Sequence, residues 1–299
     1  MAVSPPFDAL RRTFAYFAAP ALRHAPHWWR WRIYSRLRGD PYQADGFAGV
    51  TRRARIQPHG YEMRLALDNW MERYAYFVRC FYDPATILTL QRCLRSGDVF
   101  IDVGANVGMV SFVAADLVGA SGLVLAFEPN AAVAGRLEAS IALNAIGNIR
   151  VLRAALGDES AEGRLDATAQ HGTASLRAGV GAVVPIRRGD EFIEDVPDGG
   201  RVFVKIDVEG FEHRVLAGFR SLLSRRRVAV LVEITDAWLR ELGSSAQSLF
   251  DEMSALGYVA FRPSVTRSSK LRLEPLSGPG SQHQYDVLFL RPQDGWLDL

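Results

Sequence analysis

Cysteine is almost missing from this sequence. Cys80 and Cys93 are the two cysteines among 299 residues. Their spacing matches no metal-binding pattern, and one pair cannot staple a chain of this length. Reduced thiols in a reducing compartment follow, and with them a cytoplasmic location. Long apolar runs are also missing. No stretch approaches the ~20 residues that span a bilayer. Phe14–Leu22 is short, carries Pro20 and has no basic residue before Arg11 and Arg12, so it makes a poor secretory signal. Charge of one sign is lacking too. The 35 Lys and Arg against 33 Asp and Glu leave a net +2. That is too little to imply a polyanionic partner for the whole chain, and nucleic acid is not expected.

What is present is enough apolar side chain, 48%, for one large core or one core with a small appendage. Residues 1–70 read as an N-terminal helical and β-hairpin extension, and 71–299 as the main domain. Asp8 opens a helix carrying Leu10, Phe14, Phe17 and Leu22. In residues 28–38, Trp28, Trp29, Trp31 and Tyr34 interleave with Arg30, Arg32, Arg36 and Arg38. Such a segment suits a cap packed on the main domain, or a peripheral membrane or protein contact. Residues 50–68 alternate as a hairpin turning at Pro58, His59 and Gly60. Trp70, Tyr74, Tyr76, Phe77, Phe81 and Tyr82 follow, with core packing favoured over a substrate approach. Asp83-Pro84 starts a helix running to about Arg95.

From Val99 onward strands and helices alternate, the mark of a parallel sheet covered on both faces. The strands expected are 99–103, 123–127, 149–155, 202–208 and 228–234. Helices are expected over 107–118, 131–143, 211–223 and 245–256. Periodicity lapses over 157–183, which reads as an insertion or lid with a short hairpin around Arg164. The last two strands, 258–261 and 285–290, have no helix between them and should be antiparallel to each other.

Three constellations carry chemistry. In V-F-I-D-V-G-A-N-V-G, Asp102 ends a strand, Gly104 allows a sharp turn, and Gly108 lets the next helix approach closely. A dinucleotide fingerprint has a second glycine where this chain has Asn106, whose side chain would crowd a pyrophosphate. Asn106 suits an amino-acid carboxylate or amine instead. Glu128, about 20 residues on at the tip of the second strand and stopped by Pro129, stands where a carboxylate accepts from both ribose hydroxyls. Finally, K-I-D-V-E-G-F-E puts Lys205 and Asp207 on one face of an apolar strand and Glu209 and Glu212 beyond it. Buried charges of that kind need a reason. Glu233, at the fifth strand's tip, is a third carboxylate for the same cleft. His171 and His283 are weaker candidates for a base.

These motifs resemble the FkbM-type S-adenosylmethionine-dependent methyltransferases. The resemblance runs from Tyr82 to Ile234 through G-D-V-F-I-D-V-G-A-N-V-G, A-F-E-P, L-N, A-L-G-D, G-T-A-S-L, K-I-D-V-E-G-F-E and V-E-I. It implies an α/β, Rossmann-like class I methyltransferase fold. The sheet should be seven-stranded and mostly parallel with an antiparallel last strand, preceded by the helical and hairpin extension. It also implies S-adenosylmethionine as cofactor, held by Asp102, Gly104, Ala105, Asn106 and Gly108 on the methionine side. Glu128 and Pro129 would hold the ribose, and Ala155, Leu156 and Gly157 the adenine. The implied reaction is O-methylation of a sugar, glycan or polyketide-like hydroxyl, with Asp207, Glu209, Lys205 and Glu233 as catalytic candidates. A divalent metal on three converging acids is possible but not favoured. Asp83 stands where the family often has glutamate. A nicotinamide-dependent oxidoreductase would need the missing glycine and a Tyr/Lys or Ser/Tyr pair. A non-catalytic partner retaining the fold is the other alternative.

Overall fold

The computed structural model describes residues 47, 49–56, 59–166, 175–176, 181–196, 200–224 and 227–297. The helix expected after Asp8, residues 28–38, Pro58 and His171 lie outside them. The chain divides into two compact units between Tyr82 and Asp83, with Ala142–Asn144 grouped with the first.

In the first unit, β1 (Thr51–Ile56) and β2 (Tyr61–Ala66) form the expected antiparallel hairpin, with Ile56 opposite Tyr61. Alternation decides its faces: Ala54, Ile56, Tyr61, Met63 and Leu65 are buried. Arg53 pairs with Glu62 on the wet side at 3.0 Å. The aromatic stretch is a helix, α1 (Trp70–Val78), capped by the Asn69 side chain, which accepts from the backbone N–H of Met71 and Glu72. Tyr74, Tyr76 and Phe77 are buried, so core packing is their role.

The second unit is built on one large sheet. Its strands are β3 (Val99–Val103), β4 (Leu123–Phe127), β5 (Ile149–Leu152), β10 (Val202–Ile206), β11 (Val228–Ile234), β12 (Val259–Val265), β13 (Leu271–Leu276) and β14 (Tyr285–Leu290). Their spatial order is β13-β12-β14-β11-β10-β3-β4-β5. The five from β5 to β11 are parallel, and β14 runs antiparallel to both β11 and β12. The expected topology therefore holds, but among the described residues the sheet has eight strands rather than seven. The extra one, β13, pairs antiparallel with β12 along the outer edge. It carries Pro275 and alternating charges, which an edge strand tolerates because its outer N–H groups need no partner. Those same features made it read as loop.

Between β5 and β10 lies a second, four-stranded sheet in the order β6-β9-β7-β8. It comprises β6 (Ala155–Gly157), β7 (Ala161–Asp166), β8 (Ser175–Leu176) and β9 (Ala182–Arg188). The strand expected over 149–155 is thus cut after Leu152, and its end changes sheets. Arg164 lies within β7, opposite Val183, rather than at a turn.

Helices cover both faces of the large sheet. They are α2 (Pro84–Cys93), α3 (Met109–Val118), α4 (Ala131–Leu143), α5 (Glu212–Gly218), α6 (Arg220–Ser224), α7 (Asp236–Glu241) and α8 (Ala246–Ala255). One face packs Val103, Ile206 and Val232 against Val215, Leu249 and Met253. The other packs Phe100, Phe203 and Leu231 against Leu90 and Ala115. The single helix expected over 211–223 breaks at Phe219, whose side chain is buried.

Gly218 is what lets α5 lie against the second sheet: a Cβ there would meet the Gly157 carbonyl oxygen at 2.0 Å. Gly218→Ala is expected to cost about 1–3 kcal/mol, because backbone cannot yield as a side chain can. Gly135→Ala, in α4 with nothing within 4 Å of the added methyl, should gain roughly 0.5–1 kcal/mol instead. Chemical denaturation of the two variants checks both signs.

Candidate functional site

The glycine turn joins β3 to α3 at the carboxyl end of the large sheet. Gly104 and Ala105 both donate from their backbone N–H groups to the Phe127 carbonyl, at 3.0 and 2.9 Å. Gly104, Asn106 and Gly108 all have positive φ, at 81°, 51° and 83°. A Cβ at Gly108 would strike Leu137 at 2.3 Å, and one at Gly104 would strike the Asp207 carbonyl oxygen at 2.0 Å. The first glycine therefore admits the neighbouring β10 loop, and the last admits α4, as close approach requires.

Glu128 closes this turn from the end of β4. Its two carboxylate oxygens accept from the backbone N–H of Asn106 and Asn130, at 2.9 and 2.8 Å. The group is buried, and burial pushes its pKa up to about 7 against the pull of those two N–H donors. Each oxygen keeps a lone pair for a further donor. Pro129 ends β4, and the Asn130 side chain accepts from Ala132 at the start of α4.

The acidic motif meets the turn directly. The Asp207 backbone N–H donates to the Val103 carbonyl at 3.1 Å, and Lys205 stands opposite Asp102 in the parallel pairing of β10 with β3. The Lys205 ammonium donates to Asp207 at 3.0 Å and lies 3.8 Å from Asp102 Oδ1. Ser111, on α3, donates to the other oxygen of Asp102 at 2.5 Å. Burial alone would lower the lysine's pKa, yet Asp207 and Asp102 carry it above the ordinary value, so it stays charged. Burial raises Asp102, while Lys205 and Ser111 oppose the rise. Asp102 is thus sealed inside as the partner of Lys205.

Glu209 occupies the loop after β10 in a left-handed conformation, φ 58°. Gly210, φ 100°, packs against the backbone of Trp238, where a Cβ would sit 2.9 Å from its carbonyl oxygen. Glu212 is buried, and its carboxylate accepts from Gly210 N–H at 2.9 Å, closing the loop that carries Glu209. Glu212 is therefore a brace for the loop.

Glu233 is brought to the same end of the sheet, where Asp207 and Asp286 bear on its carboxyl group. Directly across the β11–β14 pair stands Asp286, a residue that sequence reasoning missed. The available signal was an acid inside the apolar strand Y-D-V-L-F-L, the same signal that singled out Lys205. Burial first, then neighbouring acids, raises the pKa of both Glu233 and Asp286. Asp83 is a further neighbour that bears on Asp286, while its own carboxylate caps α2 by accepting from Ala85 and Thr86.

The adenine candidates Ala155, Leu156 and Gly157 lie in the second sheet. Ala155 and Leu156 form β6, pairing with Ile186 and Arg187 of β9, and Leu156 packs into the main apolar core. His283 is exposed. Among the described residues no group of three or more His, Cys, Asp or Glu side chains is arranged to hold a metal ion. None of the described helices is long and apolar enough to cross a membrane.

Removing Lys205 leaves two carboxylates facing one another without their cation. Lys205→Met is expected to cost about 3–5 kcal/mol, and adding Asp102→Asn should restore part of the loss. Urea denaturation of the two single variants and the double variant measures that coupling.

The descriptive model of the methyltransferase FkbM domain matches residues 102–260, more than half of the chain. No curated protein matches the chain significantly. Among solved structures, the chain is similar to a precorrin-6y C5,15-methyltransferase from Geobacter metallireducens, at 16% identity and TM-score 0.40, covering 69% of this chain and 88% of that one. It is also similar to a SAM-dependent methyltransferase from Aquifex aeolicus, at 14% identity and TM-score 0.37, covering 70% and 98%. A SAM-dependent O-methyltransferase from Thermotoga maritima aligns at 13% identity and TM-score 0.37, covering 71% and 65%. Likeness at these scores carries no argument about function, which rests on the family match and the site. A turn closed by the Glu128 carboxylate, met by K-I-D-V-E-G-F-E within a matching domain, identifies the chain as a member of the FkbM methyltransferase family, whose methyl donor is S-adenosylmethionine.

Proposed function

We propose that the protein transfers a methyl group from S-adenosylmethionine to a hydroxyl of a sugar, glycan or polyketide-like acceptor. The observation that carries this reading is the contact of the glycine turn with the acidic loop, where Gly104 leaves room only for the Asp207 backbone. That contact puts Asp207, whose carboxylate accepts from Lys205, beside the glycine turn. The residues present fit the donor. Acids dominate the site, which suits a sulfonium cation. Glu128 keeps free lone pairs for a ribose diol. Asn106, in the position a pyrophosphate needs bare, favours an amino-acid moiety.

Asp102, Gly104, Ala105, Asn106 and Gly108 would hold the methionine side, Glu128 and Pro129 the ribose, and Ala155 and Leu156 the adenine through backbone. Bound there, S-adenosylmethionine supplies an electrophilic methyl group and leaves as the neutral thioether. The chain's own work is alignment and proton removal. An aliphatic hydroxyl is a poor nucleophile and gains from a base within hydrogen-bond reach. Asp207 receives the hydroxyl proton as the acceptor oxygen bonds to the methyl carbon. Lys205 holds that carboxylate in place, and Glu209 is the second carboxylate at the mouth. Residues 28–38 are proposed as a peripheral membrane or protein contact, and the compartment as the cytoplasm.

Calorimetry with S-adenosylmethionine, its demethylated product and NAD tests the cofactor. The first two are expected to bind and NAD not to; no binding of either would leave only a non-catalytic role for the fold. Because Glu128 must be ionised to accept from two hydroxyls and its pKa stands near 7, cofactor affinity should fall as pH drops through 7. Between pH 8 and pH 6 the fall should be roughly tenfold, and Glu128→Gln should be weak and flat across that range.

Transfer of radiolabelled methyl to fractionated glycans, lipids and small hydroxyl compounds tests the reaction and identifies the acceptor. At saturating cofactor, Asp207→Asn is expected to lose about 10²–10⁴-fold in rate. Full turnover in both Asp207→Asn and Glu209→Gln would rule out a carboxylate base.

A further inference from the structure

We infer that the acceptor is a sugar, and that Glu233, Asp286, Thr86 and Thr235 form the subsite that binds its other hydroxyls beside Asp207. The inference rests on the methyltransferase reading and deepens it by choosing among the acceptor classes. Thr86 and Asp286 lie outside the family match, which spans residues 102–260.

The burial of two strands locates the subsite. Every position of β11 is buried except Glu233, which is half-buried. Every position of β14 is buried except Asp286, likewise half-buried. These two positions stand directly opposite one another in the antiparallel pairing, so their side chains leave the same face of the sheet. On β10, Asp207 is the first half-buried residue after five buried ones. The face thus opens at its carboxyl end, along a line from β10 to β14. That line crosses two strand spacings, about 10 Å, which one hydroxylated ring with a hydrogen bond at each end covers.

Two buried threonines supply the independent observation. Thr235 is 3% exposed and Thr86 1%, and among the described residues neither hydroxyl has a hydrogen-bond partner. A buried hydroxyl without a partner is costly and calls for an explanation. Thr235 follows Glu233 by two residues in extended conformation, φ −122° and ψ 97°, so strand alternation puts both on one face. It stands at the N-cap of α7, where a threonine ordinarily accepts from the helix, yet it makes no such bond. Thr86 comes from the helix that covers this face. Leu90 and Cys93 of α2 pack against the sheet there, and Thr86 is one turn before Leu90 on the same side. Because α2 delivers the chain to the start of β3, its first turn lies at the carboxyl end.

The chemistry of the four groups selects the ligand. Lys205, the cation of this row, is engaged by Asp207 and Asp102, so Glu233 and Asp286 have no counter-ion of their own. Burial raises the pKa of both, and at neutral pH they keep their protons. Each of the four groups then both donates and accepts, and none carries charge. An ammonium would need ionised carboxylates, whereas a row of hydroxyls on one ring matches such groups in kind. An acceptor with a single hydroxyl would leave the others unpaired, and a site built for hydroxyls rejects such an analogue.

The test uses the full chain, saturating S-adenosylmethionine with a radiolabelled methyl group, and defined probes. These are the methyl glycosides of glucose, galactose, mannose and rhamnose, with cyclohexanol as the acceptor of one hydroxyl. At least one glycoside should take up methyl with kcat/KM roughly 10²-fold above that of cyclohexanol. Thr86→Val and Thr235→Val should each raise the KM for that glycoside about tenfold, with little change in kcat. Both should leave cofactor affinity and thermal unfolding as they are, since no protein hydrogen bond is lost; Thr235→Ser should restore KM. Asp286→Leu should raise KM likewise, and Asp286→Asn, which still donates and accepts, should keep it near the original. If Asp286→Leu does not fold, the two valine variants carry the comparison. No preference for any glycoside over cyclohexanol overturns the inference. So does an unchanged KM in the valine variants, which would leave the hydroxyls to bound water only. Calorimetry with S-adenosylmethionine separates the two readings. Normal binding with either negative result rejects the sugar subsite alone, whereas absent binding by the unaltered protein rejects the methyltransferase reading itself.

Discussion

One ammonium buried between two carboxylates is the interaction on which this site depends. Lys205 lies opposite Asp102 on the neighbouring strand and donates to Asp207 two residues further along its own. Neither acid is tolerable there without the cation, and the cation is intolerable without the acids. The three together lock the end of β10 against the glycine turn. That lock sets how closely Asp207 approaches the loop between Gly104 and Gly108, and only glycine at position 104 leaves room for it.

The lock lies on a boundary within one face of the sheet. Phe100, Phe203 and Ala229 form an apolar row under α2 and α3. Two residues on, Asp102 and Lys205 share a row with Leu231 and Leu288. Beyond them come Asp207, Glu233 and Asp286. The period of two along each strand brings this about: the face that is core in the middle of the sheet becomes charged at its carboxyl end. On the opposite face Val103, Ile206, Val232 and Val287 stay apolar under the later helices. Chemistry is thus confined to one end and one side, where α/β sheets place their ligands.

Features set by residues close together in the chain are legible from the amino-acid order. Val99–Glu128 announces a strand, a turn, a helix and a strand tipped by an acid, and the fold has all four. Lys205–Glu212 stands out because charges interrupt an apolar strand. Less legible are features that depend on distant partners. Asp286 is two residues into a strand whose other positions are mostly apolar, and only its antiparallel register with β11 sets it opposite Glu233. Asp83 reads correctly as a helix cap, but nothing local says that it also bears on Asp286. The second sheet escaped for a similar reason. Its strands are short and their alternation is broken, and β6 is a strand chiefly because β9 lies beside it.

The sequence by itself determined the element order, the apolar faces, the glycine turn and the acid that closes it, because these follow from local periodicity and backbone stereochemistry. It determined that Lys205 and Asp207 share a face, because strand geometry allows nothing else. Tertiary structure decided which strands are neighbours, and with that which charges meet. Asp102 faces Lys205 and Glu233 faces Asp286 only through pairing between segments far apart in the chain. The electrostatic character of the site, with Lys205 held between Asp102 and Asp207 and the pKa values of Glu233 and Asp286 raised, belongs to that pairing and to the burial it imposes.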